Sequence, residues 1–143
     1  MKIPLRRIDK ELSLPAYKTA GAVAIDLAAR TTVTVEPQSL AYVPLNIAII
    51  TPPGFMFLVA ARSSLHKRGL MLANGVGIGD QDFCGDADEW QAVLFNFTHA
   101  PVVVLRGERI AQGIFVSIAK VELEERDTLG QPNRGGFGTT GRQ

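Results

Sequence analysis

At 143 residues, with 46% hydrophobic and 20% charged side chains, the chain has the balance of one globular domain and not of a disordered protein. A formal net charge of +1 excludes the broad basic face that attraction to nucleic acid requires, so any anionic partner is met locally. Cys84, the single cysteine, rules out an intrachain disulfide, and no apolar run approaches the roughly 18 residues of a membrane span, so a cytoplasmic protein with neither nucleic acid nor membrane as partner is expected.

Helical periodicity is nearly absent. Short Val-, Ile- and Phe-rich runs bounded by Pro, Gly or polar clusters predict an all-β sandwich or barrel of short strands. Residues 32–36 alternate strictly and stop at Pro37, and residues 40–50 form a strand region interrupted by Pro44 and closed by Pro52-Pro53-Gly54. Runs at 56–61, 92–97, 102–105, 110–118 and 121–123 follow in the same style. One short helix is expected at 63–68, with serines at its start and Gly69 at its stop. Residues 127–143 differ from everything before them. Rich in glycine and nearly without apolar side chains, they read as a flexible arm beyond a β domain of residues 1–126.

The stretch Asn74-Gly75-Val76-Gly77-Ile78-Gly79-Asp80-Gln81-Asp82-Phe83 places a bare backbone directly before an acid and an aromatic ring. Such a ribbon suits a nucleobase, with chemistry done beside it. Three segments offer phosphate contacts. Arg62-Ser63-Ser64 combines a guanidinium with two hydroxyls at a helix start, although the serines could equally cap the helix while Arg62 forms a surface ion pair. Arg109 with Gln112 is the second segment, and Arg134 in the arm is the third. The acids Asp80, Asp82, Asp86 and Asp88 fall on calcium-loop positions, but Cys84 stands where that loop needs an oxygen ligand and Gln91 where it needs a bidentate Glu, so Asp86, Asp88 and Glu89 read as a solvated turn. Trp90, Phe95 and Phe97 read as core or interface.

Five segments together resemble the trimeric dUTPase family: Gly21-Ala22-Val23-Ala24-Ile25-Asp26-Leu27, Ala61-Arg62-Ser63-Ser64-Leu65, residues 74–86, Gly107-Glu108-Arg109-Ile110-Ala111-Gln112, and Arg134-Gly135-Gly136-Phe137-Gly138-Thr139-Thr140-Gly141. The resemblance implies a distorted jelly-roll or β-clip fold, a homotrimer with shared sites, and hydrolysis of dUTP to dUMP and pyrophosphate with Mg2+ carried on the triphosphate. It implies Asp80 as general base, and Asn74 with the backbone of Val76, Gly77, Ile78 and Gly79 on the uracil edge. Phe83 would pack on the deoxyribose and exclude a 2′-hydroxyl. Arg62, Ser63, Ser64 and Gln112 would hold phosphate oxygens. Arg134, Phe137 and Gly138 would close the arm over the nucleotide, and Asp26 and Arg109 would brace the site.

The chain departs from the family pattern at several points. Gly79 replaces a branched apolar residue, which is expected to loosen the ribbon that aims Asp80. Residues 86–92 are longer than the common pattern, Phe83 stands for tyrosine, and Ser64 stands for glycine in a form similar to the dCTP deaminases. A deaminase is therefore the alternative reading, opposed by the lack of a glutamate in Val93-Leu94-Phe95-Asn96. A binding module without catalysis is the second alternative.

Overall fold

The computed structural model describes residues 1–136. In chain order the strands are β1 (Leu5–Arg7), β2 (Ile25–Ala28), β3 (Val33–Val35), β4 (Leu40–Pro44), β5 (Ile47–Ile49), β6 (Phe55–Ala61), β7 (Leu70–Leu72), β8 (Gly77–Gly79), β9 (Gln91–Asn96), β10 (Val102–Val104) and β11 (Arg109–Ser117). Their pairings are antiparallel, which fits short strands joined by short turns. A four-stranded sheet runs β2-β11-β6-β8, a three-stranded sheet runs β4-β9-β7, and β1-β5 and β3-β10 form two smaller ribbons.

Alternation decides which side chains enter the core. On β6, Phe57 and Val59 are buried, and on β9, Ala92, Leu94 and Asn96 are buried. Strand β5 is buried at every position, as expected of a strand covered on both faces. Asn96 is polar and fully buried, yet its amide donates to the carbonyls of Val35 (2.9 Å) and Ala100 (2.8 Å), and its oxygen accepts from Thr98 N (2.9 Å). That set of bonds ties β9 to the β3-β10 ribbon without leaving a buried group unmet.

Two expected elements differ. The helix at 63–68 is a 3₁₀ turn over Leu65–Arg68, and the Ser64 side chain makes no capping bond. The segment is too short for an α-helix because β7 begins at Leu70 and draws the chain back into the sheet. Gly69 ends the turn at φ 75°, where a Cβ would also lie 2.0 Å from Thr98 Cγ2. The strand expected at 121–123 is exposed coil, with Val121 at 73% and Leu123 at 89% exposure. Its apolar residues have no neighbouring strand to pair with. Strands β1, β2, β7 and β8 are additional, each only three or four residues long.

The loop after β1 is held by charge. Arg106 donates to the Asp9 carboxylate at 2.7 Å and Glu11 N donates to it at 2.9 Å. These bonds, the guanidinium foremost, keep the Asp9 pKa below its ordinary value. A carboxylate with a depressed folded-state pKa stabilises the fold above its unfolded pKa of about 4, and that contribution is lost as pH falls. The urea midpoint is therefore expected to drop on acidification from about pH 5 to about pH 3, and to drop less in Asp9→Asn. An identical acid slope in the two proteins would remove Asp9 from the account.

Candidate active site

Strand β8 is the glycine ribbon itself, paired on one side with β6 in the register Phe57↔Gly79, Leu58↔Ile78 and Val59↔Gly77. It is the terminal strand of its sheet, so its other edge presents unpaired backbone donors and acceptors. A cleft of about 430 Å³ opens along it, lined among others by Asn74, Ile78, Asp80 and Phe83. Asn74 and Val76 are exposed, and Gly75, at φ 71°, turns the chain into the strand. Asp80 is exposed at the end of the ribbon. The turn that carries it is fixed by Gln81, whose amide donates to the carbonyls of Phe55 (3.0 Å) and Pro52 (3.3 Å).

The residues expected to contact phosphate assemble elsewhere on the same sheet. Arg62 follows the end of β6, and Gln112 lies opposite both Ala60 and Asp26 across the β6-β11-β2 ladder. The Asp26 carboxylate forms an ion pair with Arg62, whose Nε lies 2.9 Å away, and accepts a hydrogen bond from Arg109 at 2.8 Å. Arg62 also donates to the Arg109 carbonyl at 3.2 Å, and Gln112 donates to the Ala61 carbonyl at 2.9 Å. Ser63 and Ser64 stand exposed beside them, and a second cleft of about 460 Å³ is lined by Arg62, Ser64, Lys67 and Arg109 among others. Of the two sequence readings of this segment, Arg62 does form an ion pair, while the serine hydroxyls are left for other partners.

In the segment before β9, Asp86 is exposed as expected of a solvated turn, whereas Asp88 and Glu89 are anchored. Glu89 accepts two bonds from Arg30, at 2.7 and 2.9 Å, and one from Asn46 N at 2.9 Å. These bonds hold the Arg30 pKa above its ordinary value against the opposing effect of burial. Asp88 caps the turn by accepting from Gly85 N at 2.7 Å. Trp90 N donates to Ile47 O (2.9 Å) and Leu45 N donates to Trp90 O (2.8 Å), so the backbone at Trp90 is laced to the start of β5. Its indole lies over Gly79. The ribbon is thus not loosened at Gly79, because the residue is buried beneath a ring that fills the space above it.

The dUTPase family model matches residues 10–141. The chain belongs to the dUTPase family. A deoxyuridine 5′-triphosphate nucleotidohydrolase of Desulfitobacterium hafniense (strain DSM 10664 / DCB-2) is 41% identical over 147 residues, covering 99% of this chain and 95% of that protein. The crystal structure of a dUTPase from Streptococcus mutans is similar at 27% identity and TM-score 0.76, over 82% of this chain and 98% of that one. A dUTPase of Staphylococcus bacteriophage 80alpha, solved with dUpNHpp, shares the fold at TM-score 0.86 and 19% identity, over 99% of each chain.

Within this dUTPase-family chain the structure brings together Asn74, Val76, Gly77, Ile78, Gly79, Asp80 and Phe83, and separately Asp26, Arg62, Ser63, Ser64, Arg109 and Gln112. Arg134 is exposed in the coil that follows β11, and Phe137 and Gly138 lie outside the described residues. Sequence reasoning missed Gln81 and Glu89. An amide next to an acid carries no spacing signal, and Glu89 finds Arg30 only through the fold. Removing the carboxylate that Arg62 and Arg109 share leaves two cations facing each other. Asp26→Ala is expected to raise KM for dUTP about tenfold, because the two arginines must then be ordered when substrate binds, and steady-state kinetics would measure it. An unchanged KM would mean that the arginines need no brace.

Proposed function

We propose that the chain hydrolyses dUTP to dUMP and pyrophosphate, with Asp80 as the general base. The observation that supports this reading most is the open edge of β8 beside Asp80 and Phe83. Free backbone groups on that edge suit the uracil, whose O4 acceptor distinguishes it from cytosine, and Asn74 adds a side-chain amide. Phe83, 39% exposed, offers its ring to the deoxyribose. Asp80 takes a proton from water as the water oxygen bonds to the α-phosphorus; the bond from that phosphorus to the bridging oxygen breaks and pyrophosphate leaves with the electron pair.

A homotrimer with shared sites belongs to the same reading. Gly79 pairs with Phe57 while Arg62 follows β6, so about 17 Å of strand, at ~3.4 Å per residue, separates ribbon and clamp within one chain. Asp80 acts on the α-phosphorus and the clamp holds the phosphates next to it, a separation that favours a clamp supplied by a second copy. The outer face of the three-stranded sheet supports this. Leu40, Phe95 and Met71 lie in one cross-strand row with Tyr42 beside it, and Leu40 (58%), Tyr42 (65%) and Met71 (48%) are exposed. Tyr42 also lines the β8 cleft, so a contact on that face adjoins the site. Heterologous contacts around a three-fold axis would close such a ring.

Among the described residues no cluster of three or more His, Cys, Asp or Glu could hold a metal. In the proposed reading Mg2+ is carried on substrate phosphates and water, the manner of a hard ion that keeps its waters and leans on phosphates. A dUTPase of phage phi11 of S. aureus has a structural Mg(II) ion. When bound with the triphosphate, the ion would neutralise its charge, while Arg62, Ser63, Ser64 and Gln112 hold the oxygens. Residues 127–143 act as an arm beyond the 1–126 β domain, with Arg134, Phe137 and Gly138 closing over the nucleotide. A cytoplasmic setting, without nucleic acid or membrane as partner, completes the reading.

Pyrophosphate release with magnesium is expected from dUTP and not appreciably from dCTP, dTTP or UTP. Asp80→Asn should lower kcat by about 10²–10⁴ while nearly sparing binding of a non-hydrolysable dUTP analogue. Mixing Asp80→Asn with Arg62→Ala chains, each inactive alone, should restore turnover, because some shared sites then hold both native residues. No recovery after subunit exchange would reject the shared site. Removing residues 132–143 should reduce turnover with the β circular dichroism unchanged, and a full rate would dismiss the arm as a lid.

A further inference from the structure

Trp90 is the single tryptophan of the chain and is 6% exposed. A Cβ built on Gly79 would lie 1.8 Å from its Cη2 and 2.2 Å from its Cζ2, distances no real contact allows. Phe57, the register partner of Gly79, meets the indole edge-on with centroids 4.9 Å apart. Phe83 meets it edge-on from the cleft side at 5.8 Å. The indole therefore touches the backbone directly before Asp80 and stands behind the ring of Phe83. Its Nε1–H is buried without a hydrogen-bond partner among the described residues, at an energetic cost. A phenylalanine or leucine would fill a core position without that cost, so core filling alone does not account for a tryptophan here.

We propose that Gly79 and Trp90 form a matched steric pair, and that Trp90 is a positioning residue that sets the preference for deoxyribonucleotide over ribonucleotide by holding Phe83 forward. The proposal rests on the dUTPase reading of the cleft. Phe83 excludes a 2′-hydroxyl only while its ring cannot retreat, and the space behind it is occupied by the indole. A smaller side chain at position 90 opens a void there, since packed surroundings collapse only partly around a deleted ring. Phe83 then moves back and a ribose fits. The same deletion makes room above residue 79, so a side chain that clashes in the native protein is tolerated in the variant.

The test combines Trp90→Leu, Trp90→Phe, Gly79→Ala and the double variant Gly79→Ala/Trp90→Leu. Trp90→Leu is expected to lower the ratio of kcat/KM for dUTP over UTP about tenfold, chiefly by admitting UTP, and Trp90→Phe to recover part of that ratio. In urea unfolding without substrate, Gly79→Ala should be strongly destabilising alone and nearly neutral in the Trp90→Leu background. In the wild type, tryptophan fluorescence should change on binding a non-hydrolysable dUTP analogue. An unchanged dUTP to UTP ratio in folded Trp90→Leu would overturn the positioning role, and additive unfolding energies would overturn the pairing. Absence of dUTP turnover in the wild type would instead defeat the functional reading, and the unfolding cycle would still decide whether the two residues are paired.

Discussion

The pairing of β6 with β11 is the constraint from which the rest of the site follows. Its register runs from Ala111↔Ala61 to Ser117↔Phe55 without a break, the longest pairing among the described residues. One end of this ladder carries the arginine cluster, because β11 begins at Arg109 and β6 ends just before Arg62. Towards the other end β8 joins, because its glycines face Phe57 and Val59. A slip of one residue would turn Phe57 and Val59 out of the core, so the register is held by burial and the separation of the two half-sites is held with it.

Electrostatics explains how the arginine end is kept ready. Arg62 and Arg109 would repel each other if left alone, and Asp26, with its side chain 14% exposed, bonds both. A carboxylate placed between two guanidiniums fixes their direction without satisfying all of their donors, since each guanidinium has five N–H groups. In the proposed reaction an arriving triphosphate would meet oriented donors instead of two mobile side chains, which reduces the ordering cost of binding. Gln112 contributes in the same way, because its amide is pinned to the Ala61 carbonyl and lies in register with Asp26.

The sequence made the β class legible because short alternating runs between Pro and Gly carry their own signal. It placed the segments of β3, β4, β6, β9, β10 and β11 within a residue or two, and merged β4 with β5 across Pro44. Strands β1, β2, β7 and β8 were not legible: their pairing partners, not their own patterns, make them strands. The coil at 121–123 is the converse, a strand-like pattern without a partner. Among site residues, Asp80 and Arg62 stood out because an acid after glycines and a cation before serines are local patterns. Glu89 and Gln81 did not, since their partners Arg30 and Phe55 are distant in sequence.

Gly79 shows why a single position cannot be judged from its neighbours in sequence. Read locally, a glycine before an acid removes a side chain and adds freedom. In the fold, the volume is supplied by Trp90, and the longer segment that delivers Trp90 is itself fastened by Glu89 to Arg30 and Asn46. The same exchange occurs on β11, across β6 from β8, where a Cβ at Gly113 would lie 2.1 Å from the Phe57 ring. Phe57 in turn packs on both Phe115 and Trp90. Two glycines and a row of aromatic rings thus make one packed layer under the ribbon. Because interiors are close-packed, the stiffness of that layer is a property of the rings and glycines jointly, and the aim of Asp80 depends on residues far from it in the chain.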